Sequence, residues 1–405
     1  MHKYILSNGI KVIYEHREGS LSSFCIGFEA GALMEDGFKL GTAHAVEHML
    51  FKGTNKRSEY EINKLCDEIF GFNNAMTNFP YCIYYGTTLS SDFEKGFEVY
   101  SDIILNPTFR EEGFKEEISV ICEELKEWND DIEQYCEDEL LYNSFAKRRI
   151  KNLIIGTDES VRSITLEDIK SFYNRYYTPE NCIISVVSSL SFDNVLKVVE
   201  DNFRDFNKIY MKPKLNLYEN NLTGVFIEER NGISGAKLQW LYPIHELNDR
   251  ELSMLRIFNN IFGEGTSGLL YDEVRTKQGL VYDIGSTIKN EKGIKLFVIH
   301  LATSESNITE VMRLIEDTIE RVKNNDKYFT EELIKKSIKS IKLKSELGIE
   351  KSIELCKKLT TYELMYKDCE KIYKENNFFQ IDNKEIIDVI YKVFSRPSIQ
   401  IIKPA

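Results

Sequence analysis

Positive charge is in short supply in this chain. Its 52 Lys and Arg face 65 Asp and Glu, for a formal net charge of -13. A nucleic-acid binder needs a basic footprint, so this balance argues against one. Long apolar runs are missing as well. No stretch reaches the roughly 18 apolar residues of a membrane span, so no membrane partner is expected. The opening, MHKYILSNGIKVIYEH, lacks the basic start and apolar run of a secretory leader. Close cysteine pairs are absent too. Cys25, Cys66, Cys82, Cys122, Cys136, Cys182, Cys356 and Cys369 have neither the spacing of a structural zinc site nor that of a redox motif. They read as buried thiols of a reducing compartment, and the cytoplasm is the expected location. Histidine is sparse, with six in 405 residues.

What is present fits a folded enzyme-sized protein. The length allows two or more domains and a large core, and 24 Phe with 22 Tyr supply apolar bulk. The first residues read as a hairpin around Ser7-Asn8-Gly9, followed by a strand in SSFCIGFEAG. Helical periodicity runs over Thr42 to Phe51, Glu59 to Ile69 and Phe93 to Leu105, then through one long acidic stretch from Glu111 to about Phe145. NNAMTN and YCIYYGTTL read as paired strands. Residues 207–221 lack periodicity, carry Pro213 and read as a linker. The phrase EDIKSFYNRYYTPENCIISVV before it matches KEIIDVIYKVFSRPSIQII near the C-terminus: acidic start, amphipathic helix, aromatic, proline, strand. The expected organisation is α+β. Two domains of one architecture, 1–206 and 222–405, would each have a mostly antiparallel sheet packed with helices.

Two of the six histidines stand four residues apart in GTAHAVEHMLFKGT. Positions i and i+4 share a helix face, so the imidazoles of His44 and His48 point the same way. That suits two nitrogen ligands of one tetrahedral zinc. Glu47 lies on nearly the same face, within reach of a water on the metal. Zinc lowers the pKa of such a water to about 7, and a nearby carboxylate can take the proton. The order His-x-x-Glu-His inverts the commoner zinc-peptidase helix. A third ligand is needed, and EEGFKEEISVICEELKEWNDD offers several carboxylates. Glu117 and Glu124 are two helical turns apart and share a face. One could reach the metal while the other holds a ligand in place. Spacing does not choose among Glu117, Glu123 and Glu124.

The motif GTAHAVEHMLFKGT resembles that of the inverted zinc peptidases that include pitrilysin, insulysin and the mitochondrial processing peptidase. The likeness extends over essentially the whole chain. LSNGIKVIYEH is similar to the family's first hairpin, and GFNNAMTNFPYCIYY to its Asn-Ala-x-Thr strand, matched by Asn74, Ala75 and Thr77. EEISVICEELKEW resembles the third-ligand helix, which implies Glu124 as the ligand and Glu117 as its helical companion. YDEVRTKQGLVYDIGS resembles the segment that supplies an arginine and a tyrosine, here Arg275 and Tyr282. Gly268 departs from the pattern, since family members often carry arginine there.

The resemblance implies one Zn2+ per chain held by His44, His48 and Glu124, with Glu47 as the general base and Glu117 supporting the ligands. Arg275 and Tyr282 would act on substrate carbonyls or the developing oxyanion. An extended peptide would add a strand along Asn74, Ala75 and Thr77. In the family, four such domains form a two-half clamshell around a chamber. Two domains here imply one half, and a homodimer or a heterodimer with a paralogue. The implied activity is zinc-dependent endopeptidase cleavage of peptides or unstructured segments, with basic peptides favoured by the acidic net charge. The alternatives are a non-catalytic, peptide-holding relative and a dedicated leader-peptide maturation protease with a partner subunit.

Overall fold

The computed structural model describes residues 1–405 except 326, 376, 377 and 380. The first strands are β1 (His2–Ile5), β2 (Lys11–His16) and β3 (Leu21–Phe28), followed by helices α1 (Thr42–Leu50) and α2 (Glu59–Ile69). Then come β4 (Phe70–Thr77), β5 (Cys82–Leu89), α3 (Phe93–Leu105), α4 (Phe114–Asp130) and α5 (Ile132–Ser144). After these follow α6 (Asp158–Ser163), α7 (Leu166–Tyr176), β6 (Cys182–Ser188) and α8 (Phe192–Phe203). The chain restarts with β7 (Gly224–Arg230), β8 (Ala236–Pro243), α9 (Asp249–Phe262), β9 (Val281–Glu291) and β10 (Ile294–Thr303). It closes with α10 (Ile308–Lys323), α11 (Glu331–Leu347), α12 (Ser352–Tyr366), α13 (Lys371–Lys374), α14 (Asn383–Val393) and β11 (Ser398–Pro404). Among the described residues no helix is long and apolar enough to cross a membrane.

The strands make two sheets, ordered β1-β2-β6-β3-β5-β4 and β7-β11-β8-β10-β9. Without β1 the orders correspond strand for strand. The pairing directions correspond too: β2–β6 and β7–β11 are parallel and the remaining pairs antiparallel. The repeated phrase in the sequence is α7 with β6 and α14 with β11. Both helices start on a capping box, Thr165 with Asp168 and Asp382 with Glu385, which explains the shared acidic start. Pro179 and Pro397 then stand between helix and strand, where a helix cannot continue. The apolar run of β6 is buried throughout because it lies between β2 and β3 and is covered on both faces.

The acidic stretch expected as one helix is two. Asp131 interrupts it by accepting from the backbone N–H groups of Glu133 and Gln134 at 3.0 and 3.2 Å, which caps α5 as a new helix. Between α9 and β9 the chain carries a π-helical turn at Tyr271–Thr276.

The compact units also depart from the contiguous halves 1–206 and 222–405. One comprises Met1–Glu127, Asn152–Leu215 and Leu347–Ile372; the other comprises Trp128–Lys151, Asn216–Glu346 and Tyr373–Ala405. The departure comes from two helices. In the first unit α12, from the C-terminal half of the sequence, covers β3, β5 and β6 through Ile353, Leu355, Cys356, Leu359 and Leu364. Gly27 on β3 permits that close approach, since a Cβ there would lie 2.5 Å from Thr360 Cγ2. In the second unit α5, from the N-terminal half, covers β8 and β11. Apolar periodicity marks both helices as amphipathic but does not say which sheet receives them.

Candidate metal centre

Helix α1 is fixed at its start by two features. Gly41 takes the left-handed conformation with φ 88°, and a Cβ there would approach the carbonyl oxygen of Ile155 to 2.3 Å, so glycine is required. The buried carboxylate of Glu35 accepts from the N–H of Ala43 at 2.9 Å, where a helix N-terminus favours negative charge. Ala43, Ala45, Val46, Met49 and Leu50 are buried, which leaves His44, Glu47 and His48 along a half-buried face.

Helix α4 brings Glu124 to that face. His44 Nε2 and His48 Nε2 are 3.3 Å apart, and Glu124 Oε2 lies 3.5 Å from His48 Nε2 and 3.8 Å from His44 Nε2. Tetrahedral zinc with bonds of about 2.0–2.1 Å sets its donors about 3.3–3.4 Å apart. The three separations, and the two-imidazole, one-carboxylate chemistry, therefore fit zinc. Glu123, left open by spacing, instead pairs with Lys126 at 2.6 Å on the exposed side of α4. Glu117 Oε1 is 2.7 Å from His48 Nδ1, and its other oxygen is 2.5 Å from Lys52 Nζ. Lys52 also reaches Glu59 at 2.9 Å. His44 has no equivalent support: its Nδ1 is buried without a hydrogen-bond partner among the described residues.

Electrostatics separate the two rings. Burial, reinforced by the neighbouring His48, pushes His44 down to about 4. Burial also opposes charge on His48, but its bonds to Glu117 and Glu124 outweigh this and raise it to about 9. Glu124 is lowered chiefly by its bond to His48. Glu117 is lowered although burial opposes this, because His48 and Lys52 both donate to it. Burial raises Glu47, against the bond from Thr77.

Thr77 ends β4, the sheet edge expected to receive substrate, and its hydroxyl donates to Glu47 Oε2 at 2.5 Å. Behind it Cys82 Sγ lies 3.4 Å away and donates to the Tyr84 hydroxyl at 3.2 Å, which in turn is 2.7 Å from the Tyr177 hydroxyl. Asn74 and Ala75 lie along the same edge strand and line a recess with Glu47, His48, Phe51 and Tyr100. Lys52, Glu35 and the Cys82–Tyr84–Tyr177 series were not singled out from sequence. Of these, Lys52 alone carries a readable signal, four residues beyond His48 and just past the end of α1.

Arg275 and Tyr282 belong to the other unit. Arg275 lies on the π-helical turn, its guanidinium 4.8 Å from the Tyr271 ring centre. Tyr282 is the residue skipped where the β9–β10 register shifts: Asp283 pairs with Ala302 and Val281 with Thr303. The bulge turns its side chain outward, and it is 73 % exposed.

A family model described as insulinase, peptidase family M16, matches residues 11–158, the stretch that holds His44, Glu47, His48, Glu117 and Glu124. A second, described as the peptidase M16 inactive domain, matches residues 163–341 and includes Arg275 and Tyr282. The chain belongs to the M16 peptidase family. Among M16 relatives, the uncharacterized zinc protease YmxG of Bacillus subtilis is 26 % identical over 328 residues, 80 % of this chain and 78 % of its own length. An uncharacterized zinc protease of Rickettsia felis is 28 % identical over 315 residues, 76 % and 74 % of the two chains. Two solved structures share the fold over 100 % of this chain. A protease from Helicobacter pylori, 99 % covered, gives a TM-score of 0.88 at 20 % identity. An M16 inactive-domain protein from Pseudomonas fluorescens, 98 % covered, gives 0.90 at 17 %. The "inactive" label attaches to the part of this M16 chain that lacks the histidine pair.

Proposed function

We propose that the chain is a zinc-dependent endopeptidase acting on peptides or unstructured protein segments. The observation that carries this is one cluster: three donors at zinc-like separations with a carboxylate, Glu47, fixed beside them. The names of the M16 relatives support zinc as the metal.

A bound zinc ion supplies Lewis acidity, toward a water molecule and toward the scissile carbonyl. His44, His48 and Glu124 would hold it. Glu117 accepts from His48 Nδ1–H, which fixes the ring and leaves Nε2 free to ligate. Lys52 in turn steadies Glu117. Thr77 occupies one oxygen of Glu47, so the other accepts the proton of the attacking water and later delivers it to the leaving amine. Burial of Glu47 raises its proton affinity and suits it to both roles. The free edge of β4 offers backbone pairing to an extended substrate, with Asn74 and Ala75 beside the scissile bond.

The assembly reading is a homodimer, or a heterodimer with a paralogue, that encloses a chamber. Arg275 and Tyr282 of one copy would serve the zinc of the other, with Tyr282 donating to the oxyanion. The exposure of Tyr282 supports that role. A chain that cleaves peptides at concentrations where it is monomeric overturns this part.

The chemistry is tested by digesting a peptide library with wild type and Glu47→Gln while measuring zinc in both. The expected result is zinc retained and cleavage lost in the variant. Equal cleavage by both proteins, or no zinc and no cleavage in wild type, overturns the proposal. Matched basic and acidic peptides in the library test the preference for basic substrates, which equal rates would remove.

A further inference from the structure

The face of the second sheet beneath α5 carries Lys237, Gln239, His300 and Gln400 among its apolar residues, where the equivalent face beneath α12 is mostly apolar. Gln239 on β8 pairs across to His300 on β10, and His300 pairs to Gly285 on β9. One row along, Lys237 and Asp283 both pair with Ala302. Cross-strand partners and residues two apart share a face, so Lys237, Gln239, His300 and Asp283 lie together. Glu133, in the first turn of α5, joins them and lines the same small recess.

Within that recess one ligand-type atom each from Glu133, Asp283 and His300 lies within 4.8 Å of the others, with His300 Nε2 4.0 Å from Asp283 Oδ2. Gly285 makes room for the ring, since a Cβ there would sit 2.9 Å from His300 Nε2. A second observation is independent of the acidic groups. Gln239 is only 4 % exposed, and its Nε2 donates to the Glu133 carbonyl at 3.2 Å. Its Oε1 is buried with no hydrogen-bond partner among the described residues. A buried amide oxygen without a donor is costly. Two carboxylates, an imidazole and an amide oxygen share one preferred ligand, a divalent cation of the class that accepts both nitrogen and oxygen. Lys237, 3.3 Å from Glu133 Oε2, supplies a single positive charge against the two carboxylates and competes with such an ion.

We propose that Glu133, Asp283, His300 and Gln239 form a second divalent-metal site, for Zn2+ or Mn2+, that ties the start of α5 to its sheet. This site is separate from the His44–His48–Glu124 cluster and does not depend on peptidase activity.

The test is metal stoichiometry of the full chain after equilibrium dialysis against micromolar Zn2+, repeated with Mn2+. Wild type is expected to hold two zinc ions per chain and Asp283→Asn/His300→Gln one. His44→Gln/His48→Gln is expected to keep the one that the other variant loses. Lys237→Met is expected to bind the second ion about tenfold more tightly. If the first centre fails, wild type holds one ion and Asp283→Asn/His300→Gln none, so the two failures are distinguishable. A wild-type stoichiometry that Asp283→Asn/His300→Gln leaves unchanged, with circular dichroism showing the variant folded, overturns the second site. If that variant does not fold, the other two proteins decide: saturation of wild type at one ion, together with none in His44→Gln/His48→Gln, overturns it.

Discussion

Set side by side, the two sheets show how one frame can hold different chemistry. The first helix after β3 is α1, and the first after β8 is α9. Helix α9 turns Leu252, Met254, Leu255, Ile257, Phe258, Ile261 and Phe262 into its core and contains no histidine. Helix α1 is shorter and keeps a half-buried face for His44, Glu47 and His48. The faces opposite these helices differ as well. Beneath α12 the first sheet presents Cys25, Ile83, Tyr85, Ile183 and Val187. Beneath α5 the second presents Gln239 and Gln400, with Asn143 donating to Gln400 Oε1 at 2.9 Å. Topology is thus shared, while reactivity and the means of holding a helix are local.

The largest break in this comparison is expected at α1. His48→Ala should leave cleavage at background and remove the first metal, read by peptide hydrolysis and metal content. The next concerns the two covering helices. Leu359→Ala empties space in a mostly apolar interface and should cost about 2–5 kcal/mol, whereas Asn143→Ala, beside Gln400, should cost about 1 kcal/mol. Urea midpoints of the two variants check the difference, and equal losses would erase the contrast. Smaller again, Glu117→Gln should weaken zinc binding by roughly 10–100-fold without abolishing it, measured by chelator competition.

The smallest effect is a pH dependence in α5. Asp138 accepts from Trp128 Nε1 at 2.8 Å and from Gln134 Nε2 at 3.1 Å, and burial raises its carboxyl from 3.8 to about 6. The native chain therefore keeps this proton where the unfolded chain has lost it. Stability falls as pH rises from about 4 through about 6, by ~1 kcal/mol after solvent screening. Urea midpoints at pH 4 and pH 7 should show that this component disappears in Asp138→Asn.

Much of this was legible in sequence because the signals are local. Helices α2 and α3 begin and end where periodicity places them, at Glu59–Ile69 and Phe93–Leu105. Helix–proline–strand phrases revealed the doubled architecture. The spacing of His44, Glu47 and His48 fixed a shared face. The third donor was not legible from spacing, because Glu117, Glu123 and Glu124 all sit on one helix and only packing separates a ligand from a surface residue. Nor was the bond from Thr77 to Glu47, which joins strand to helix across thirty residues. The sheets that α5 and α12 cover are illegible for the same reason: an amphipathic stripe records that a partner exists, not which one.

That placement has a consequence during synthesis. When the ribosome has completed the first sheet, the helix that shields Cys25, Ile83 and Val187 is still more than a hundred residues from being made. The nascent N-terminal portion must wait with an uncovered greasy surface. Chaperone dependence should therefore peak before residue 366 emerges, and splitting the gene at the linker should yield two fragments that recover only when expressed together.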